Sequence, residues 1–205
     1  MSAYTFLLTT DSPQKPPERE ASASELLHAQ YCIPTFWYML FDEGSIVRVK
    51  YDGNEVDEAI DYPALSKPTR DALALARSRW PAVREVLGAP VEELFRQWIE
   101  YVERHALEFL HCETWDWFGQ FQTYREFGQE LRTCIRAFDR IPRRRQGRLV
   151  LNRWWDNLLD QCQALDEHAG VKPLGDFTYC GYGKGVPWRW EITAAQSDAA
   201  DRPRE

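Results

Sequence analysis

The stretch YCIPTFWYMLFDEG, residues 31 to 44, limits the folds open to this chain more than any other. From Tyr31 to Phe41 only Pro34 and Thr35 interrupt a row of aromatic, aliphatic and sulphur-bearing side chains, and the sequence then turns to Asp42, Glu43 and Gly44. At about 11 residues the run is roughly half of what a bilayer span needs. It therefore reads as core, with Phe36, Trp37, Leu40 and Phe41 inside and the two acids emerging at a charged edge. A chain of 205 residues fits one domain and buries about 70 % of the surface its unfolded form exposes. The nine Trp residues supply large apolar areas to such a core.

The pattern along the chain predicts an α+β fold. YTFLLTT (4 to 10) reads as a strand before an Asp-Ser-Pro break. Ser22 and Glu25 have capping-box spacing, which predicts a helix carrying Leu26, Leu27, Ile33, Phe36, Trp37, Leu40 and Phe41, kinked at Pro34. SIVRVKYDG (45 to 53) alternates Ile46, Arg48 and Lys50 against Val47, Val49 and Tyr51, as a half-buried strand does. From Ser66 the spacing predicts helices: one with Leu73, Ala76 and Trp80, broken at Pro81, and one with Val91, Leu94, Phe95, Trp98, Val102, His105 and Phe109 on one face. A fourth carries Phe118 to Phe138, and a fifth Leu151 to Leu165. GDFTYCGYGKGVPWRWEI reads as strand, glycine turn, strand. The expected architecture is a mostly helical body with a small sheet from the N-terminal, 45–51 and C-terminal strands. Residues 1–193 form one domain in this reading, and 194–205 form a disordered tail.

Several constellations invite a chemical reading. On a helix His105, Glu108 and Cys112 share a face, with His111 and Glu113 adjacent, so a metal-dependent hydrolase using His105, Glu108 and His111 is one alternative. The spacing fits no zincin pattern, and His105 falls on the apolar stripe, so core histidine and solvated acids are the simpler account. CGYGKG lacks the spacing of a phosphate loop. The five cysteines are an odd, scattered set without a CxxC pair, which fits reduced thiols better than a disulfide or zinc framework. The run RIPRRRQGR places Arg140, Arg143, Arg144, Arg145 and Arg148 at an interhelical turn. A nucleic-acid-binding module built on Arg143 to Arg145 is the second alternative, although no aromatic platform is interleaved with the arginines. No catalytic residue, metal or cofactor is expected.

Charge is the most informative feature. Residues 1 to 62 carry 11 acidic and 4 basic side chains, net −7, whereas the remainder carries 21 of each. The segment from Asp42 to Asp61 is the densest part. A run this acidic repels itself, so it is kept either as a solvated loop or as a surface for a positively charged partner, whose association complementary fields accelerate. The expected contact residues are Asp42, Glu43, Asp52, Glu55, Asp57, Glu58 and Asp61, with Tyr51 and Tyr62 as aromatic anchors.

YTFLLTT, followed some twenty residues later by YCIPTFWYMLFDE, resembles small bacterial cytosolic proteins, among them immunity proteins that neutralise the toxins of contact-dependent and type VI secretion systems. The resemblance covers about the first fifty residues and involves no invariant chemistry. It implies an acidic, non-enzymatic, cytoplasmic protein that blocks a basic toxin or effector protein. The Arg-rich turn is not required by such a role. The N-terminus has neither a basic n-region nor an apolar stretch of signal-peptide length, so export is not expected. Neither membrane nor nucleic acid is the expected partner.

Overall fold

The computed structural model describes residues 4–14, 24–30, 33–51, 60–87, 90–119, 123–140 and 179–188. In chain order the elements are β1 (Tyr4–Thr10), β2 (Glu25–Gln30), α1 (Thr35–Met39), a 3-10 turn (Glu43–Ser45), β3 (Ile46–Tyr51), β4 (Ile60–Pro68), α2 (Thr69–Leu87), α3 (Pro90–His105), β5 (Phe109–Glu113), α4 (Trp115–Phe118) and α5 (Tyr124–Arg140). The strands form one antiparallel sheet in the order β2-β1-β5-β4-β3. The fold is α+β.

The register explains which face is buried. Leu7 stands opposite both Leu27 and Cys112, and Leu65 opposite both Cys112 and Ile46, so one row of apolar side chains crosses the whole sheet. Paired residues share a face, and this row joins Phe36, Trp98, Leu131 and Ile135 in the hydrophobic core. The apolar stretch after Pro34 is core: Phe36, Trp37, Met39, Leu40 and Phe41 are fully buried. Around Phe36 the rings of Phe95 and Trp98 lie 5.3 Å away, and Trp80 stacks flat on Phe95 at 4.0 Å. Each such contact contributes about 0.5–1.5 kcal/mol beyond area burial.

Three strands depart from the sequence expectation. ELLHAQ, expected within a helix, is β2 and pairs with β1; only TFWYM after Pro34 is helical. Sheet pairing outweighs the helical spacing of Leu26, Leu27 and Ile33. Ile60–Pro68 is a strand despite two prolines, and β5 pairs with it only from Leu65 onward, so Pro63 lies where one edge of β4 needs no donor from it. The helix expected to run through Phe109 stops at His105, and FLHCE becomes β5, held between β1 and β4. A short apolar run suits either structure until its neighbours are known. Pro81 does not break α2, which is continuous from Thr69 to Leu87. Phe118 belongs to α4, and α5 begins at Tyr124 after a reciprocal cap in which Glu126 N–H donates to Thr123 Oγ1 and Thr123 N–H to Glu126 Oε2.

The C-terminal segment contributes one bridge rather than a strand among the described residues. Tyr182 exchanges backbone hydrogen bonds of 2.6 and 2.7 Å with His28 on the outer edge of β2. Gly181 and Gly183 are there for close approach. At Gly181, φ is +74°, and a Cβ would lie 2.6 Å from Trp37 Cζ2 and 2.9 Å from the His28 carbonyl. Trp37 Nε1 donates to the Cys180 carbonyl at 2.8 Å, and Trp188 Nε1 to Gly181 at 2.9 Å. CGYGKG is therefore a packed crossing point. The expected fifth helix, most of the Arg-rich run and the expected tail 194–205 lie outside the described residues.

Arg79 ties the helices together. Its side chain, only 4 % exposed, donates through Nη1 to the carbonyls of Tyr38, Met39 and Phe41, and through Nε and Nη2 to Asp139 Oδ1 at 3.0 and 2.6 Å. Arg79→Ala strands three carbonyls and is expected to lower the unfolding free energy by about 3–5 kcal/mol. Asp139→Asn, at a half-exposed carboxylate, is expected to cost about 1 kcal/mol. Urea denaturation of both variants checks this, and equal losses would refute the buried-cation account.

Candidate functional site

The acidic segment from Asp42 to Asp61 does not form one surface. Asp42 and Glu43 precede β3, whereas Asp61 stands opposite Lys50 near the other end of the β3–β4 pair. The six residues of β3 separate the two groups, a distance of roughly 17 Å along the strand. Asp52, Glu55, Asp57 and Glu58 lie outside the described residues, between Tyr51 and Ile60, which are directly paired.

Each acid of the segment that the structure describes meets a cation of the same chain. Asp42 accepts from Lys67 Nζ at 2.5 Å and caps the 3-10 turn through Ser45. Burial pushes the Asp42 carboxyl up, but the Lys67 ammonium and the Ser45 hydroxyl outweigh it, so its pKa falls below the ordinary 3.8. Glu43 takes a two-pronged contact from Arg136 at 2.5 and 2.6 Å, the fork geometry that arginine favours with carboxylates. Asp61 is 3.4 Å from Arg48, whose guanidinium also sits 4.9 Å over the Tyr124 ring. These contacts spend acidic charge on folding. The sequence concealed them because the partners lie 25, 93 and 13 positions away.

Tyr62 is not a surface anchor. It is 2 % exposed, packs against Trp115 and Phe118, and donates its hydroxyl to Glu113 Oε2 at 2.8 Å. It stands on the face of β4 away from Leu65, where Trp115 and Phe118 cover it, and burial of a tyrosine demands a partner for its hydroxyl. Glu113, itself 8 % exposed, satisfies its second oxygen with the N–H groups of Thr114 and Trp115 at the start of α4. Tyr51 ends β3 opposite Ile60.

The helical face expected to unite His105, Glu108 and Cys112 does not exist, because β5 intervenes. His105 is exposed and lies over Tyr101, with ring centroids 4.5 Å apart. Glu108 is exposed in the connection, and His111 is fully buried on β5. His111 Nε2 faces both the Ser12 carbonyl at 3.2 Å and Thr10 Oγ1 at 2.9 Å. Thr10 Oγ1 in turn donates to Ser12 O at 2.6 Å. A nitrogen facing a carbonyl oxygen is the donor, so this arrangement suits a proton on His111 Nε2. Cys112 and Cys134 are buried, and burial raises both thiol pKa values, which leaves them protonated and inert. Among the described residues no group of three or more His, Cys, Asp or Glu could hold a metal ion.

An open cleft of about 530 Å³ lies where β1, β4 and the α3–β5 connection meet, lined by Asp11, Pro68, Thr69, Arg70, Leu107, Glu108 and Phe109. Two nearly buried threonines fix its walls. Thr69 donates through Oγ1 to the Leu107 carbonyl at 2.6 Å and through N–H to the Glu108 carbonyl at 2.8 Å. Thr9 Oγ1 accepts from Leu107 N–H at 2.5 Å and donates to the Phe109 carbonyl at 3.2 Å. No sequence periodicity marks these residues; only strand order brings them together.

Comparison with family models, curated proteins and solved structures returned no match. Among the described residues no helix is long and apolar enough to cross a membrane.

The Asp42 contact predicts a pH dependence. Because the folded-state pKa lies below the unfolded value, the stabilisation is present above pH 3.8 and is lost as pH falls through the lower, folded-state value. The stability advantage of the wild type over Asp42→Asn should be measurable at pH 7 and shrink toward zero below pH 3.8. Urea unfolding at both pH values tests it, and an advantage that grows on acidification would reverse the assignment.

Proposed function

We propose that this chain is a non-enzymatic binding protein that acts in the cytoplasm as an immunity-type inhibitor of a basic toxin or effector protein. One observation carries the reading. β3 and β4 form an edge hairpin whose paired ends, Tyr51 and Ile60, are joined by DGNEVDEA, with four carboxylates and no base. With Asp42, Glu43 and Asp61 each facing a cation of the same chain, the recognition charge reduces to Asp52, Glu55, Asp57 and Glu58, with Tyr51 at the base of the hairpin. A protein that acts on a polyanion carries a basic cleft, and an acidic hairpin competes for it. A standard interface of about 1,600 Å² with a few anchors is sufficient for tight inhibition.

Reversing Glu55, Asp57 and Glu58 to Lys is expected to weaken binding by at least about a hundredfold without lowering Tm. The measurement is affinity capture of partners by the tagged wild type and the triple variant, followed by co-expression of the captured protein. One stoichiometric basic partner, toxic alone and harmless with the wild type, supports the proposal. Equal capture by the variant refutes the hairpin as the contact surface.

A further inference from the structure

The cleft beside Leu107 carries a second inference, independent of the acidic hairpin. β4 runs nine residues from Ile60 to Pro68, so the cleft lies at the end of the sheet remote from the 52–59 connection, roughly 26 Å along the strand. Its charge is of a different kind from that near β3. Asp11, Arg70 and Glu108 are all exposed, and among the described residues none of the three is engaged in an ion pair, whereas Asp42, Glu43 and Asp61 each face a cation. Leu107, which lines the same cleft, is one of the few large apolar side chains left exposed, at 48 %. It is not exposed because its loop is loose. The backbone of residues 107 to 109 is pinned by Thr9 and Thr69, which are 8 % and 9 % exposed. A rigid backbone presenting an apolar group loses little conformational freedom on binding.

We propose that this cleft docks a single basic side chain carried on an apolar segment of a partner protein. The cationic head lies between Asp11 and Glu108, and the aliphatic stem lies along Leu107, Phe109 and Pro68. Arg70 supplies the discrimination, because it repels a second adjacent cation and so disfavours a polybasic segment. The openness of the cleft suits a protruding side chain better than a free small molecule, which binding sites ordinarily enclose over most of its surface.

The test is a heteronuclear NMR titration of the full chain with three capped dipeptides: N-acetyl-Leu-Arg-amide, N-acetyl-Arg-Arg-amide and N-acetyl-Leu-Glu-amide. The expected result is saturable shifts at the amides of Asp11, Thr69, Arg70, Leu107, Glu108 and Phe109 with the Leu-Arg peptide. Binding should be about fivefold weaker for Leu-Glu and in the Asp11→Asn/Glu108→Gln variant, the factor carried by two exposed ion pairs. Both substitutions are at exposed positions, and an otherwise unchanged spectrum verifies the fold. Arg-Arg binding more tightly than Leu-Arg would identify the cleft as undirected negative charge and overturn the proposal. Shifts absent from these six amides would overturn it as well. Shifts confined to residues 52 to 61 would do the same while leaving the hairpin reading intact.

Discussion

Arg79 is the side chain on which the helical layer depends. An ammonium or guanidinium removed from water must recover its hydrogen bonds inside the protein, and this one does so by gathering the carbonyls at the end of α1 together with Asp139 of α5. The apolar stretch is too short to form a long helix and leaves several carbonyls facing inward. The arginine from α2 satisfies them, so three helices distant in sequence share one polar centre, with the guanidinium 5.8 Å over the Phe138 ring. Hydrophobic burial supplies most of the driving force, and this cation fixes where α1 stops.

How much of this was legible depends on the range of the interaction. β1, β3 and most of the apolar stripes of α3 and α5 follow from local alternation or helical spacing, although Phe109 and Phe118, expected on those stripes, belong to other elements. β2, β4 and β5 were not legible, because their identity comes from the strands beside them. ELLHAQ has good helix formers and becomes a strand only because β1 and Tyr182 offer it partners on both edges. The same limit governs the site. Composition marks an acidic segment, but whether an acid is available to a partner or committed to the fold is decided by Lys67, Arg136 and Arg48, which strand order and helix packing bring up to it. Tyr62 looked like an anchor because a single sequence does not distinguish an aromatic that faces Glu113 from one that faces water.

The surface thus divides acidic charge into two kinds. Charges with a same-chain cation hold the 3-10 turn against α5 and the start of β3 against β4. Asp11 and Glu108, which have no such partner among the described residues, both line the cleft. Net charge alone treats both kinds alike, although only the second retains most of its attraction for an outside cation. Docking and folding therefore draw on different carboxylates, and the two can be altered separately.

The closure of β2 by Tyr182 has a consequence for synthesis. The strand and Trp37 leave the ribosome well before the groups that satisfy them: the Cys180 carbonyl lies 143 positions after Trp37, and the backbone of Tyr182 lies further along still. Until then the outer edge of β2 and the indole N–H lack those partners, a condition that favours stray strand pairing. The outer edge of β2 is thereby completed only once the residues around Tyr182 have been made, and their arrival is itself a step in the assembly of the fold.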